Sequence, residues 1–409
     1  MTKKGFQTTN LHSDRKDNPE HGVLHKAIHT SVAFGYEDAR HLAEVFQGKR
    51  EGYNYGRQLN PTVTALQKRI TQMEQGIASV AFATGMGAIA STMFALLRSG
   101  DHIVSSAFLF GNTNSFFATL EQFGVGVTFV DATDAANVAT AIQPNTKLVF
   151  SETIANPATQ ITDLKAIGEL CEKHGLVFCV DNTMTSPHLF NPKDVRASLI
   201  INSLTKYIGG HGNALGGTVT STGLYDWSNY SNIYETYRQG DPNTWGMTQI
   251  KKKGLRDIGA TLGPEAAHHL AVGSETLPMR MDKSCKSAQA MAQLCEAHPK
   301  VNRVYYPGLP SHPQHARATE LFRGYGALFS IDLVDGVDCF DCLNKMEDII
   351  ASSNLGDNRT LAIPVAHTIY YEMGAERRAS MGIADSMIRF SVGIEDTEDL
   401  LNDLTRAFS

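Results

Sequence analysis

Five short apolar runs constrain this chain more than any other feature. "HIVSS", "GVTFV", "KLVFSE", "LVFCVDN" and "LIINSLT" follow one another between residues 102 and 205. Each is strand-length, rich in β-branched and aromatic residues, and almost free of polar alternation. A strand with no polar face must be covered on both sides, and segments of helical period such as "ITDLKAIGELCEKHG" stand between the runs to do it. Short buried strands alternating with helices predict a mostly parallel sheet in a wound α/β domain. Upstream, "PTVTALQKRITQMEQG" places Val63, Leu66, Ile70 and Met73 at helical spacing, and Gly76 ends the pattern. The strand-like "SVAFAT", Gly85-Met86-Gly87 and the apolar helix "AIASTMFALL" come next.

At 409 residues the chain is too long for a single core. Residues 1–60 are polar and weakly periodic, which suits an N-terminal arm lying over another surface. Residues 61–255 carry the wound α/β pattern. Residues 256–409 read as an α+β C-terminal domain. It opens with a helix pair in "PEAAHHLAVGSETLPMRMDKSCKSAQAMAQLCEAHP" and continues with "VNRVYYPG", "ALFSIDLV", a helix over 338–349 and the strand "SMIRFSVGIED".

Several function classes are excluded. The net charge is -6, so there is no basic field for nucleic acid or an anionic membrane. No uninterrupted apolar run reaches about 18 residues, and "MTKKGFQTTNLHSDRKDNPEHG" has no apolar core for a signal peptide, so a cytoplasmic protein is expected. Six cysteines in so long a chain point to reduced thiols rather than a disulfide framework. Cys339 and Cys342 have C-x-x-C spacing without a second pair or a redox context. They read as plain thiols, one buried and one facing solvent, and no metal site is expected. Neither G-x-x-x-x-G-K-[ST] nor a strand-following G-x-G-x-x-G is present.

Ligands of open wound sheets bind outside the carboxyl ends of the strands, and four segments fall there. Thr84-Gly85-Met86-Gly87 follows a strand and opens a helix, leaving backbone N–H groups for a phosphate. "ETIAN", Glu152 to Asn156, ends another strand. Asp181-Asn182-Thr183 ends a run so apolar that its carboxylate needs a partner. Ser203-Leu204-Thr205-Lys206 ends a fourth, and five glycines follow in "SLTKYIGGHGNALGG". Each segment alone is more often ordinary: an Asp-Asn turn, a loop lysine, a tightly packed G-M-G. Together, a phosphate cradle, a buried acid and a lysine on neighbouring strand ends meet the needs of pyridoxal phosphate.

"YNYGRQLNPT", "ATGMGAI", "VDNT", "SLTKYIGGHG", "NLGDNRTL" and "IRFSVGIED" resemble the cystathionine γ-synthase/γ-lyase family of pyridoxal-phosphate enzymes. This is the Cys/Met metabolism family of aminotransferase fold type I, and the resemblance covers essentially the whole chain. It implies that Lys206 carries the cofactor Schiff base and shuttles the Cα and Cγ protons, while Asp181 keeps the pyridine nitrogen protonated. Gly85, Met86, Ser203 and Thr205 would bind the phosphate, and Thr183 would also contact the cofactor. Asn156 would contact the ring hydroxyl. Asn354 and Arg389 would face the substrate, with Arg389 clamping its carboxylate. Tyr55 and Arg57 match a Y-x-R that reaches the phosphate site of a neighbouring subunit. The implied unit is a homotetramer of two active dimers.

One departure bears on substrate choice. In "SSAFLFGNT", Phe110 stands where the family usually stacks a tyrosine on the cofactor ring. Phenylalanine keeps the stacking area but has no proton to exchange. A phenol that helps a leaving group depart contributes about 10²–10⁴-fold, so its loss penalises an alkyl thiolate most. "IPVAHT" also departs from the usual "HPAS-TH" wall. The expectation is γ-elimination through a vinylglycine-type intermediate, best fitted by canavanine γ-lyase. That group resembles this chain, carries phenylalanine here, and gives homoserine and hydroxyguanidine. O-Acetyl- or O-succinylhomoserine sulfhydrylase and cystathionine γ-synthase are the alternatives, methionine γ-lyase follows them, and a non-catalytic cofactor-binding protein is the remotest reading.

Overall fold

In the computed structural model, residues 4–13 and 20–409 are described; the rest of the expected arm, residues 1–3 and 14–19, lies outside them. The apolar runs become strands β1 (Ala78–Phe82), β2 (His102–Ser106), β3 (Gly126–Val130), β4 (Thr146–Glu152), β5 (Val177–Asp181), β6 (Leu199–Ser203) and β7 (Gly217–Ser221). They form one sheet in the order β1-β7-β6-β5-β4-β2-β3. β2 to β6 pair in parallel, and β7 runs antiparallel between β6 and β1.

The missing polar alternation has a direct cause. Val149, Phe178 and Ile200 face one helical layer, while their chain neighbours Leu148, Phe150, Cys179 and Ile201 face the other. Both faces are dry, so both sets must be apolar, each large side chain contributing about 1.5–3 kcal/mol. On the first face lies the helix Pro61–Met73, capped by the Asn60 side chain accepting from the Thr62 and Val63 N–H groups. On the second lies the helix Gly85–Leu96, capped by Thr84.

A second sheet has the order β10-β11-β12-β9-β8. Its strands are β8 (Val301–Tyr305), β9 (Leu328–Leu333), β10 (Ile350–Ala351), β11 (Leu361–Pro364) and β12 (Ile388–Ser391). The expected helix pair is Pro264–Ser274 and Leu277–Glu296. Its first helix and Met281 pack into the core of the large sheet, whereas Ala288 and Met291 enter that of the small one. One long helix thereby ties both sheets together.

Two expectations are corrected here. The helix expected over 338–349 is only Cys339–Asn344. The Asp403 carboxylate accepts the N–H groups of Glu347, Asp348 and Ile349, giving those amides partners outside a helix. Cys339 and Cys342 are both buried rather than split between core and solvent. Three residues apart on one helical turn, they face the same core, and burial pushes both thiols up.

The arm is different. Its helix Ala39–Phe46 buries no residue, and Leu24 and Phe46 are 78% and 64% exposed. Among the described residues no helix is long and apolar enough to cross a membrane.

Candidate active site

Three strand ends and one helix start converge on a cleft of about 320 Å³. At the end of β1, Thr84 Oγ1 accepts the Gly87 N–H at 2.8 Å, opening the helix Gly85–Leu96 toward the cleft. A Cβ on Gly85 would stand 2.9 Å from Ser203 Cβ, and one on Gly217 only 2.2 Å from the Thr84 carbonyl oxygen. Glycine is needed at both places for the phosphate-sized cradle to sit against β6 and β7. The ends of β5 and β6 are stitched together: the Ser203 N–H donates to Thr183 Oγ1 at 2.8 Å, and the Thr183 N–H donates to Asp181 Oδ1 at 2.9 Å.

Lys206 lies in the turn after β6, where its Nζ donates to Asn354 Oδ1 at 2.7 Å. Burial, helped by the Arg389 charge, lowers its pKa to about 8. That is about 3 kcal/mol against the charged form, and it makes the amine available as a nucleophile near neutral pH. Arg389, on β12, is 2% exposed. Its Nη2 donates to the Ser353 and Asn354 carbonyls at 3.0 and 3.1 Å, and its Nη1 to Asn156 Oδ1 at 3.2 Å. Its Nε is buried without a partner. Desolvation lowers its pKa to about 10.

Two carboxyls sit side by side across β4 and β5, Glu152 opposite Asp181. Burial raises both, Asp181 to about 6 and Glu152 well above the carboxylate range, the latter also through the Asp181 charge. A buried acid raised this way is short of a cation, which a protonated ring nitrogen would provide.

The expected site residues separate into two groups. Gly85, Met86, Phe110, Asn156, Asp181, Thr183, Ser203, Lys206, Asn354 and Arg389 line the one cleft. Thr205 does not line it; its hydroxyl accepts the Gly216 N–H at 3.0 Å and holds the lysine turn. Tyr55 and Arg57 lie outside it on the arm, where the Arg57 guanidinium stands 5.6 Å from the Tyr55 ring centre and donates to the Arg256 carbonyl. Sequence reasoning gave no role to Glu152 or Glu74. Glu152 ends an apolar run just as Asp181 does, so the same reasoning about an isolated buried carboxylate applies to it. Glu74 is fully buried, raised to about 7 by desolvation, and accepts from the Asn182 and Asn202 amides at 3.0 and 2.7 Å. Only the fold brings those three residues together.

The donor set fits pyridoxal phosphate: a helix-start cradle, a desolvated lysine, and a buried acid lacking a cation. A sequence profile described as Cys/Met metabolism PLP-dependent enzyme matches residues 7–409. An L-methionine gamma-lyase from Fusobacterium nucleatum subsp. polymorphum is 36% identical over 98% of each chain. A homocysteine synthase from Schizosaccharomyces pombe is 33% identical over 98% of this chain and 97% of its own. Among solved structures, an O-acetylhomoserine (thiol)-lyase candidate from Campylobacter jejuni carrying a pyridoxyl-lysine phosphate superposes with TM-score 0.92, at 29% identity, over 99% of this chain and 100% of that one. Cystathionine gamma synthase from Xanthomonas oryzae pv. oryzae gives TM-score 0.88 at 30% identity, over 100% of this chain and 98% of that one.

Proposed function

The chain belongs to the Cys/Met metabolism family of PLP-dependent enzymes, and on that premise we propose that it is a canavanine γ-lyase, working as a homotetramer in the cytoplasm. The reaction breaks the Cγ–O bond of L-canavanine and adds water, giving homoserine and hydroxyguanidine. The observation that carries this reading is Phe110. Of this chain's own residues lining the cleft, only Glu152, Asp181, Lys206 and Arg389 carry titratable groups, and the two carboxyls stand together at the ends of β4 and β5. The nearby phenol of Tyr370 donates to the Asn156 carbonyl at 2.6 Å and is pushed up by burial, so it is held away from proton transfer. A leaving group that is weakly basic, or that carries its own proton, suits such a cleft better than a thiolate.

Pyridoxal phosphate supplies the electron sink when bound; the chain's own groups place the substrate and move protons. Gly85, Met86 and Ser203 would hold the phosphate with backbone N–H groups and a hydroxyl, Asp181 would keep the ring nitrogen protonated, and Thr205 braces the lysine turn beside them. Arg389, fixed by three acceptors, receives the substrate carboxylate, with Asn156 and Asn354 orienting the guanidinium. Lys206 Nζ would take the Cα proton and one Cβ proton and return protons to those two carbons, while water supplies the oxygen at Cγ. Tyr55 and Arg57 reach the phosphate site of a second subunit.

A second reading is replacement by sulfide on an O-acylhomoserine, whose carboxylate leaving group also tolerates Phe110; the relatives are named for both chemistries, homocysteine synthase and L-methionine gamma-lyase. Wild-type enzyme and Phe110→Tyr, assayed on canavanine, O-acetylhomoserine with and without sulfide, cystathionine and methionine, separate the readings. Canavanine should be cleaved far better than methionine, and Phe110→Tyr should raise thiolate release without improving canavanine turnover. Efficient methionine cleavage by wild type would sink the leaving-group argument, and preference for O-acetylhomoserine with sulfide would make the enzyme a sulfhydrylase.

A further inference from the structure

Phe110 precedes the helix Gly111–Leu120 as its cap residue but has no side-chain group to cap it. Instead, its own N–H donates to Glu152 Oε1 at 2.7 Å. Glu152 is held in turn: it is 6% exposed, and Thr162 Oγ1 donates to its backbone carbonyl at 2.8 Å. Glu152, Phe110 and Asp181 all line the same cleft. A single carboxyl therefore connects the backbone of the ring-facing residue to the strand end next to the pyridine-nitrogen acid.

We infer that Glu152 is a positioning residue: it sets where the Phe110 ring lies over the cofactor by accepting the Phe110 N–H. It acts through Phe110 and does not itself touch the reacting atoms. Its role is independent of which γ-substituent leaves. Burial and the neighbouring Asp181 charge hold the Glu152 carboxyl well above the ordinary range. Protonated or ionised, it offers an acceptor oxygen to the Phe110 N–H, and the side-chain carbonyl of glutamine offers the same. A neutral amide should therefore replace it, whereas a methyl group should not.

The test compares purified holoenzyme carrying Glu152→Gln or Glu152→Ala, followed by visible circular dichroism of the bound cofactor, cofactor affinity and steady-state kinetics. Glu152→Gln should keep the dichroic band and hold kcat within about threefold. Glu152→Ala leaves the Phe110 N–H without its partner and frees Phe110. It should change the band and lower kcat about tenfold, with KM for the substrate little changed because Arg389 is untouched. In the background of Phe110→Ala, the loss from Glu152→Ala should largely vanish, since the residue acts through that ring. Glu152→Leu, which keeps bulk without an acceptor, replaces the alanine variant if the cavity prevents folding. An unchanged band and kcat in Glu152→Ala or Glu152→Leu would overturn the inference. So would Glu152→Gln being as damaged as either, or full additivity with Phe110→Ala.

Discussion

Lys206 and Arg57 are both cations tied by the family resemblance to one cofactor site, yet they sit in opposite surroundings. Lys206 is desolvated in a cleft between two sheets, with Asn354 as its partner and a lowered pKa. Arg57 is exposed on the arm, resting against Tyr55 and a carbonyl. Around Lys206, every polar group is placed by an apolar core within the same chain. Around Arg57, the local apolar groups are themselves uncovered: Tyr55 is 44% exposed and Val32 58%. Exposed apolar groups beside the two residues proposed to reach a neighbour's cleft fit a surface that another copy would complete. The cleft is an intramolecular construction, whereas the arm reads as half of an intermolecular one.

The largest effect that can test this contrast is complementation. Lys206→Ala should lose turnover by about 10⁴-fold, because one group both anchors the cofactor and moves protons. Arg57→Ala should lose about 10²-fold, the worth of one or two charge-assisted hydrogen bonds. If the arm serves a second copy's cleft, dissociating and mixing the two inactive proteins should recover about a quarter of wild-type activity, because half the dimers then hold one intact site of two. Recovery of nothing, measured under conditions where wild-type protein reassembles, would place Arg57 and Lys206 in one and the same site.

A smaller effect tests the intramolecular side alone. Arg389 donates from two nitrogens to three acceptors, a planar fork that lysine cannot reproduce. Arg389→Lys should raise KM for the amino-acid substrate about 10–50-fold and change kcat less. Equal losses in both constants, or no loss, would show that the carboxylate is bound elsewhere.

Much of the cleft was legible in the sequence because its residues end apolar runs. A strand whose neighbours are all buried leaves the polar residues that follow it at the carboxyl end of the sheet, where ligands of wound sheets bind, so Asp181, Lys206 and Asn156 could be assigned to one cleft from the segments that follow their strands. What escaped was set by pairing across the sheet. That Glu152 faces Asp181 depends on β4 and β5 being neighbours in register, and that Glu74 meets Asn182 and Asn202 depends on how a helix end docks below two strands. The short helix at Cys339 escaped for a similar reason. Its end is set by Asp403, about 60 residues later in the chain.

Proton linkage probes the cleft without disturbing its packing. A lysine lowered to about 8 is half neutral there rather than near its ordinary value, and only the neutral amine attacks an aldehyde. The rate at which cofactor-free protein takes up pyridoxal phosphate, followed by absorbance, should rise about tenfold per pH unit below pH 8 and flatten above it. A rise continuing to pH 10 would mean that Lys206 is not desolvated as its surroundings require.

The smallest effect lies at the joint between the two regions. Asn60 is 4% exposed. Its side-chain oxygen accepts the Thr62 and Val63 N–H groups, starting the helix Pro61–Met73, while its amide donates to the His29 carbonyl at 2.6 Å. One side chain thus caps a core helix and ties the arm to it. Asn60→Ala should remove about 1–2 kcal/mol of stability, the usual worth of such a cap, and lower Tm by about 2 °C in so large a chain. Asn60→Asp keeps the capping oxygen but loses the donor to His29, so the two functions come apart. If the arm is held chiefly by a neighbouring copy, Asn60→Asp should leave Tm and oligomeric state close to wild type. If it is held by its own chain, the same change should loosen residues 20–60, seen as faster proteolysis there, and weaken the dimer. The second outcome would move the arm to the intramolecular side of the comparison and remove the reason for placing Tyr55 and Arg57 in a neighbour's cleft.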